Sequence, residues 1–143
     1  LVAQGKLAEA LTAFRDGLAI RERLAAADPG NAGWQRDLSV SHNKIGEVLV
    51  AQGKLAEALT AFRDSHAIFE RLAAADPGNA GWQTDLVASH ARLAQQGDEP
   101  ERRWAFVVAT LRRLSAEGRL TAAQEAWLPT AEANLQKLRD RPS

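Results

Sequence analysis

The sequence of 143 residues contains no cysteine and no methionine. Without cysteine there is no disulfide, no thiolate nucleophile and no zinc–thiolate centre. This is compatible with a reducing compartment, and a cytoplasmic location is the expectation. An excess of either charge is also lacking: 18 Lys and Arg face 18 Asp and Glu, for a formal net charge of zero. That argues against a nucleic-acid or anionic-membrane partner held by bulk charge. No apolar run approaches the roughly 20 residues of a membrane-spanning helix. No Ser-His-Asp order, Gly-x-Ser-x-Gly element, phosphate-cradling glycine loop or metal-ligand spacing is present. No catalysis, cofactor or metal is therefore expected of these residues.

What is present is a long internal repeat. LVAQGKLAEALTAFRD runs from Leu1 to Asp16 and returns unchanged from Leu49 to Asp64, a period of 48 residues. ERLAAADPGNAGWQ follows in both copies, from Glu22 and from Glu70. A period of this length implies stacked supersecondary units rather than one closed globule. Leu1 corresponds to Leu49, which lies inside a helical pattern, so the chain is read as the carboxyl-terminal part of a longer protein.

The residue types favour helix, with alanine, leucine, glutamate, lysine and arginine dominant. Leu55, Ala58, Leu59, Phe62, His66, Phe69 and Leu72 recur at three- and four-residue steps and mark one helical face. Leu7, Ala10, Leu11, Phe14, Leu18 and Leu24 do the same in the first copy, and Leu38, Ile45 and Leu49 form a second stripe with His42 between. Gly5 and Gly53 are read as tight turns. Asp28-Pro29-Gly30-Asn31 and Asp76-Pro77-Gly78-Asn79 end one helix and start another, the asparagine capping the new amino terminus. Helices are expected at about 6–27, 33–51, 54–75, 81–96, 99–117 and 121–139. The period stops after Gln96. Asp98 is read as an N-cap with Glu101 reaching back, Thr121 with Gln124 as a second capping pair, and Pro129 as a kink or a new start.

Ile45-Gly46, Gly53, Ala58, Phe62 and Pro77 stand in the order of the tetratricopeptide repeat, which the unit resembles. The usual unit has about 34 residues, and the excess of about 14 is two heptads, which preserves the buried face. The segment ALTAFRDGLAIRERL is similar to the long-helix variant of kinesin light chains and of some bacterial proteins. The resemblance implies an all-α solenoid of antiparallel helix-turn-helix repeats with a right-handed superhelix. The repeats span 1–97, the first unit truncated. Residues 98–143 are read as a degenerate repeat or terminal cap, because Gly118, Leu120, Ala123 and Trp127 repeat the spacing of Gly53, Leu55, Ala58 and Phe62.

The resemblance also implies a function: a non-catalytic scaffold that binds a peptide or protein through its concave face. Carried over by position, the first helices of the units present Arg36, Val40, Asn43, Glu47 and Val50, then Thr84, Ala88, Ala91, Arg92 and Gln95. Kinesin-type repeats carry an asparagine near the position of Asn43 that contacts the bound peptide backbone. Four of these positions differ between the copies, Arg36/Thr84, Val40/Ala88, Asn43/Ala91 and Glu47/Gln95. His42, His66 and His90 are read as packed histidines. Pairs such as Arg112 with Glu117 are read as a solvated face, and the arginines between 102 and 119 as offset by neighbouring acids. Two alternatives stand beside the scaffold. One is self-association or a spacer role through the apolar face of residues 7–24. The other is the regulatory arm of a larger bacterial enzyme or signalling protein.

Overall fold

The structure is a computed structural model and describes residues 2–141, with side chains from Ala3. The described residues form seven helices: α1 (Val2–Ala27), α2 (Ala32–Ala51), α3 (Leu55–Ala75), α4 (Ala80–Gln95), α5 (Pro100–Ala116), α6 (Ala122–Glu125) and α7 (Trp127–Arg139). They contain no strand. None of the helices is long and apolar enough to cross a membrane. The fold is an all-α helical repeat. Two compact units divide it, residues 1–72 and residues 73–143.

In the first unit α1 packs on α2. Leu11 and Ala25 are the buried apolar residues of α1, and Ile45, Val48 and Leu49 those of α2. The α2–α3 hairpin closes at Gly53, whose φ of 77° is a left-handed value that favours glycine. Lys54 N–H donates to Leu49 O at 2.8 Å and Gly53 N–H to Val50 O at 2.9 Å, a left-handed helix ending of the Schellman type. The two helices then approach closely at one point: a Cβ on Gly46 would lie 2.4 Å from Cε1 of Phe62. Ala58 and Phe62 are almost wholly buried, as their places in the repeat require.

The second unit uses the same devices. Asn79 caps α4 by accepting from Trp82 N–H at 3.1 Å, as Asn31 caps α2 through Trp34 N–H at 3.0 Å. Each Asp-Pro-Gly-Asn turn is closed by Asn N–H donating to Asp O at 3.0 Å. Helix α4 packs on α5, and α5 on α7. Their core holds Val87, Ala94, Trp104, Val107, Val108, Leu111, Ala131 and Leu135. Gly97 and Gly118, at φ 83° and 68°, end α4 and α5 in the manner of Gly53. Asp98 N–H reaches Leu93 O and Arg119 N–H reaches Leu114 O. Helix α4 has 16 residues where α2 has 20, so the second hairpin turns one helical turn earlier and keeps its buried face.

Several local expectations are corrected. Gly5 is no turn: α1 runs through it. Asp98 does not cap α5. Its carboxylate is taken by Arg103, and Glu99 occupies the cap position at φ 45° with no side-chain cap bond. Pro100 follows it, and the residue before a proline is kept out of the right-handed helical region. The expected last helix is two. Thr121 and Gln124 form the expected capping box on the short α6, and α7 restarts at Trp127. Pro129 falls in the first turn of α7, where a backbone N–H has no intrahelical acceptor to lose. The spacing match of Gly118, Leu120, Ala123 and Trp127 does not extend to packing. Ala123 is exposed and Trp127 is 40% exposed, whereas Ala58 and Phe62 are buried.

Candidate functional site

Among the expected surface residues of α2, Arg36 and Glu47 are exposed, and Val40, Asn43 and Val50 are half-buried. On α4, Gln95 is exposed and Ala88, Ala91 and Arg92 are half-buried. Thr84 is a correction. It is buried, and its hydroxyl donates to Gly81 O at 3.0 Å, so it offers nothing to a ligand.

Four of the α4 residues come together. Ala88, Ala91, Arg92 and Gln95, with Val87, form one wall of a cleft of about 300 Å³. Helix α5 supplies Trp104, Val107 and Leu111, and α7 supplies Trp127, Thr130 and Ala131. The volume is at the lower end of the range for ligand sites, about 300–1,000 Å³. Small side chains on α4 leave the space, and the two indoles bound it. The break between α6 and α7 sets Trp127 at the head of a helix, where it stays accessible. Arg92 is the one charged residue on the cleft wall. Trp104 was not picked out by the repeat argument, since it lies beyond the last residue of the period, and Trp127 was picked out only as a packed counterpart of Phe62. An aromatic left over from the periodic core pattern was the signal for Trp127.

Helices α4 and α5 also carry a buried polar network. Arg103 is buried. Its Nε donates to Asp98 O at 3.0 Å and to Asp98 Oδ2 at 3.1 Å, and its Nη2 to Oδ2 at 2.8 Å. Its Nη1 lies 3.1 Å from His90 Nδ1. A guanidinium only donates, so Nδ1 is the acceptor and the ring proton belongs on Nε2. The imidazole packs on Phe106 with ring centroids 4.1 Å apart. His90 is thus a packed histidine, as is His66, which is buried and pairs with Glu70 at 2.8 Å. Burial pushes His42 below its ordinary value of 6.5, against the opposing pull of Asp64 and Glu22.

Three further arginines of the second unit have acidic partners. Arg102 pairs with Glu99 at 2.7 Å, and that hydrogen bond, with the charge behind it, holds the Glu99 carboxyl below its usual range. Arg112 pairs with Glu132 at 2.7 Å rather than with Glu117, which takes Arg119 at 3.5 Å. Arg119 also donates to Gly78 O. Among the described residues no three His, Cys, Asp or Glu side chains are grouped to hold a metal ion.

Capped antiparallel helices joined by left-handed glycine turns, and carrying one repeated sequence, define a helical-repeat protein. A family model described as tetratricopeptide repeat matches residues 1–29 and 41–77, and these residues carry that repeat. No curated protein and no solved structure matches the chain significantly.

Proposed function

We propose that this chain is a protein-interaction scaffold that holds a peptide or protein partner on the accessible faces of α2 and α4. Tetratricopeptide repeats generally mediate protein–protein interaction. The observation that carries the finer reading is the cleft on α4. A helix whose inward side is core and whose outer side is Ala88, Ala91, Arg92 and Gln95 has left room beside two tryptophans. Aromatic and arginine side chains are the ones enriched where partners are gripped. The corresponding side of α2 carries Val40, Asn43 and Glu47. The asparagine amide both donates and accepts, which suits a peptide backbone. Three of these positions change between copies of an otherwise conserved repeat, so the two helices present different chemistry from one framework.

The test compares immobilised parent protein with an Arg36→Glu/Asn43→Ala/Arg92→Glu variant of equal helicity and melting temperature. Both are exposed to native lysate. A partner held by the parent and lost by the variant supports binding on these faces. An identical set of retained proteins on both removes the reading.

A further inference from the structure

The cleft of the second unit has a chemistry of its own. Its lining residues all fall between Val87 and Ala131, so it is a hollow among α4, α5 and α7 rather than a bare face at either end of the chain. A core cavity of about 150 Å³ takes up benzene. This cleft, at about 300 Å³, has room for a fused bicyclic ring with a short polar arm. Trp104 is 7% exposed and Trp127 40%, so one indole belongs to the wall and the other stands at the mouth. Two indoles with the small Ala88, Ala91 and Ala131 suit a flat aromatic body. Polar groups are few: Arg92 and Gln95, three residues apart on α4, and Thr130 of α7. All three can donate hydrogen bonds. Arg92 carries the one charge, and among the described residues no Asp or Glu lines the cleft. A cation would meet that guanidinium as a like charge. A wholly apolar ligand would cover the donors and leave them unpaired, which is costly. A carboxylate answers all three, and a guanidinium's planar fork matches it two bonds at a time. Five N–H donors serve a ligand beside partners within the protein.

We infer that this cleft is a binding site for a free small aromatic carboxylate, of the size and shape of an arylacetate. The ring lies against Trp104 and Trp127, the carboxylate meets Arg92, and Gln95 and Thr130 are the neighbouring donors. At this volume the ligand fits whole, which favours a free small molecule over a chain passing through. The site is one that the scaffold reading also uses, but a small acid needs only the second unit and no protein partner. Purified components therefore decide the matter, and failure here leaves the lysate comparison untouched, as the reverse does.

Isothermal titration of the purified full chain with naphthalene-1-acetate tests it. One-to-one binding is expected with a Kd of about 1–100 μM, within reach of a ligand of about 14 non-hydrogen atoms. The neutral naphthalene-1-acetamide should bind about tenfold more weakly or worse. Arg92→Gln should weaken the acid by as much and leave the amide unchanged. Ala88→Leu fills the cleft and should abolish binding of both. Should that variant lose helicity, Trp127→Ala at the exposed mouth serves instead and should weaken acid and amide alike. In the NMR spectrum the indole N–H signals of Trp104 and Trp127 should shift on titration, and those of Trp34 and Trp82 should not. No saturable binding up to about 1 mM, a level too weak for a built site, overturns the inference. So does equal affinity for acid and amide, a loss on Arg92→Gln that strikes both equally, or a shift confined to Trp34 and Trp82.

Discussion

His42 sits half-buried on α2, and its imidazole is held below 6.5 because burial disfavours the charged form. The unfolded chain therefore takes up the proton first as pH falls past 6.5. Stability tied to the neutral ring is fully present above that value and is lost as pH falls toward the folded-state value. Denaturant midpoints measured from about pH 7.5 down to about pH 5 should fall more steeply for the parent than for His42→Gln. Parallel pH profiles would show that the site does not prefer the neutral ring. Gly46 makes a sharper steric prediction. Alanine there gains about 1 kcal/mol of helix propensity. Its Cβ would meet the buried Phe62 ring at 2.4 Å, however, and overpacking costs about 1–3 kcal/mol. Gly46→Ala should lower the midpoint in the parent and cost less in a Phe62→Leu background. A higher midpoint would mean that the helices do not touch there. This contact was legible in the sequence, since small Gly46 and large Phe62 occupy fixed places in a known repeat. The partner of His90 was not, because Arg103 lies past the last residue that repeats.

At the level of elements, the legible turns were those whose packing the sequence itself supplies. Gly53 is a corner because α2 and α3 both have apolar faces to press together and its φ is left-handed; Gly5 has the same neighbours in sequence, yet α1 passes through it. The two Asp-Pro-Gly-Asn turns carry their own caps and needed no tertiary knowledge. The start of α5 misled because Asp98 is a good cap by type, yet a buried arginine five residues on claims its carboxylate. Here removal of one partner should cost far more than removal of both. Arg103→Met leaves Asp98 and His90 facing each other without their donor, and breaking a buried pair in this way costs about 3–5 kcal/mol. Arg103→Met/Asp98→Asn should recover a measurable part of that loss. If the double variant is as unstable as the sum of the single ones, the two side chains are not coupled. The cap on α6 is a smaller effect: Thr121→Ala should cost about 0.5–2 kcal/mol, read from thermal melts of the full chain.

For the whole molecule, a repeat protein draws its stability from interfaces between neighbouring elements, so opening need not be all-or-none. Burial is distributed unevenly. Helix α3 carries Ala58, Ala61, Phe62, Ser65, Ile68 and Phe69 in buried positions, and α5 carries Trp104, Val107, Val108, Leu111 and Leu114. On α1 only Leu11 and Ala25 are buried among the described residues, and on α6 none are. Amide exchange at low concentration should therefore rank α6 fastest, α1 next, and α3 and α5 slowest, because an element with few buried contacts opens at little cost. Equal protection of α1 and α3 at low concentration would mean that the two copies of the repeat are held alike, contrary to what their burial requires.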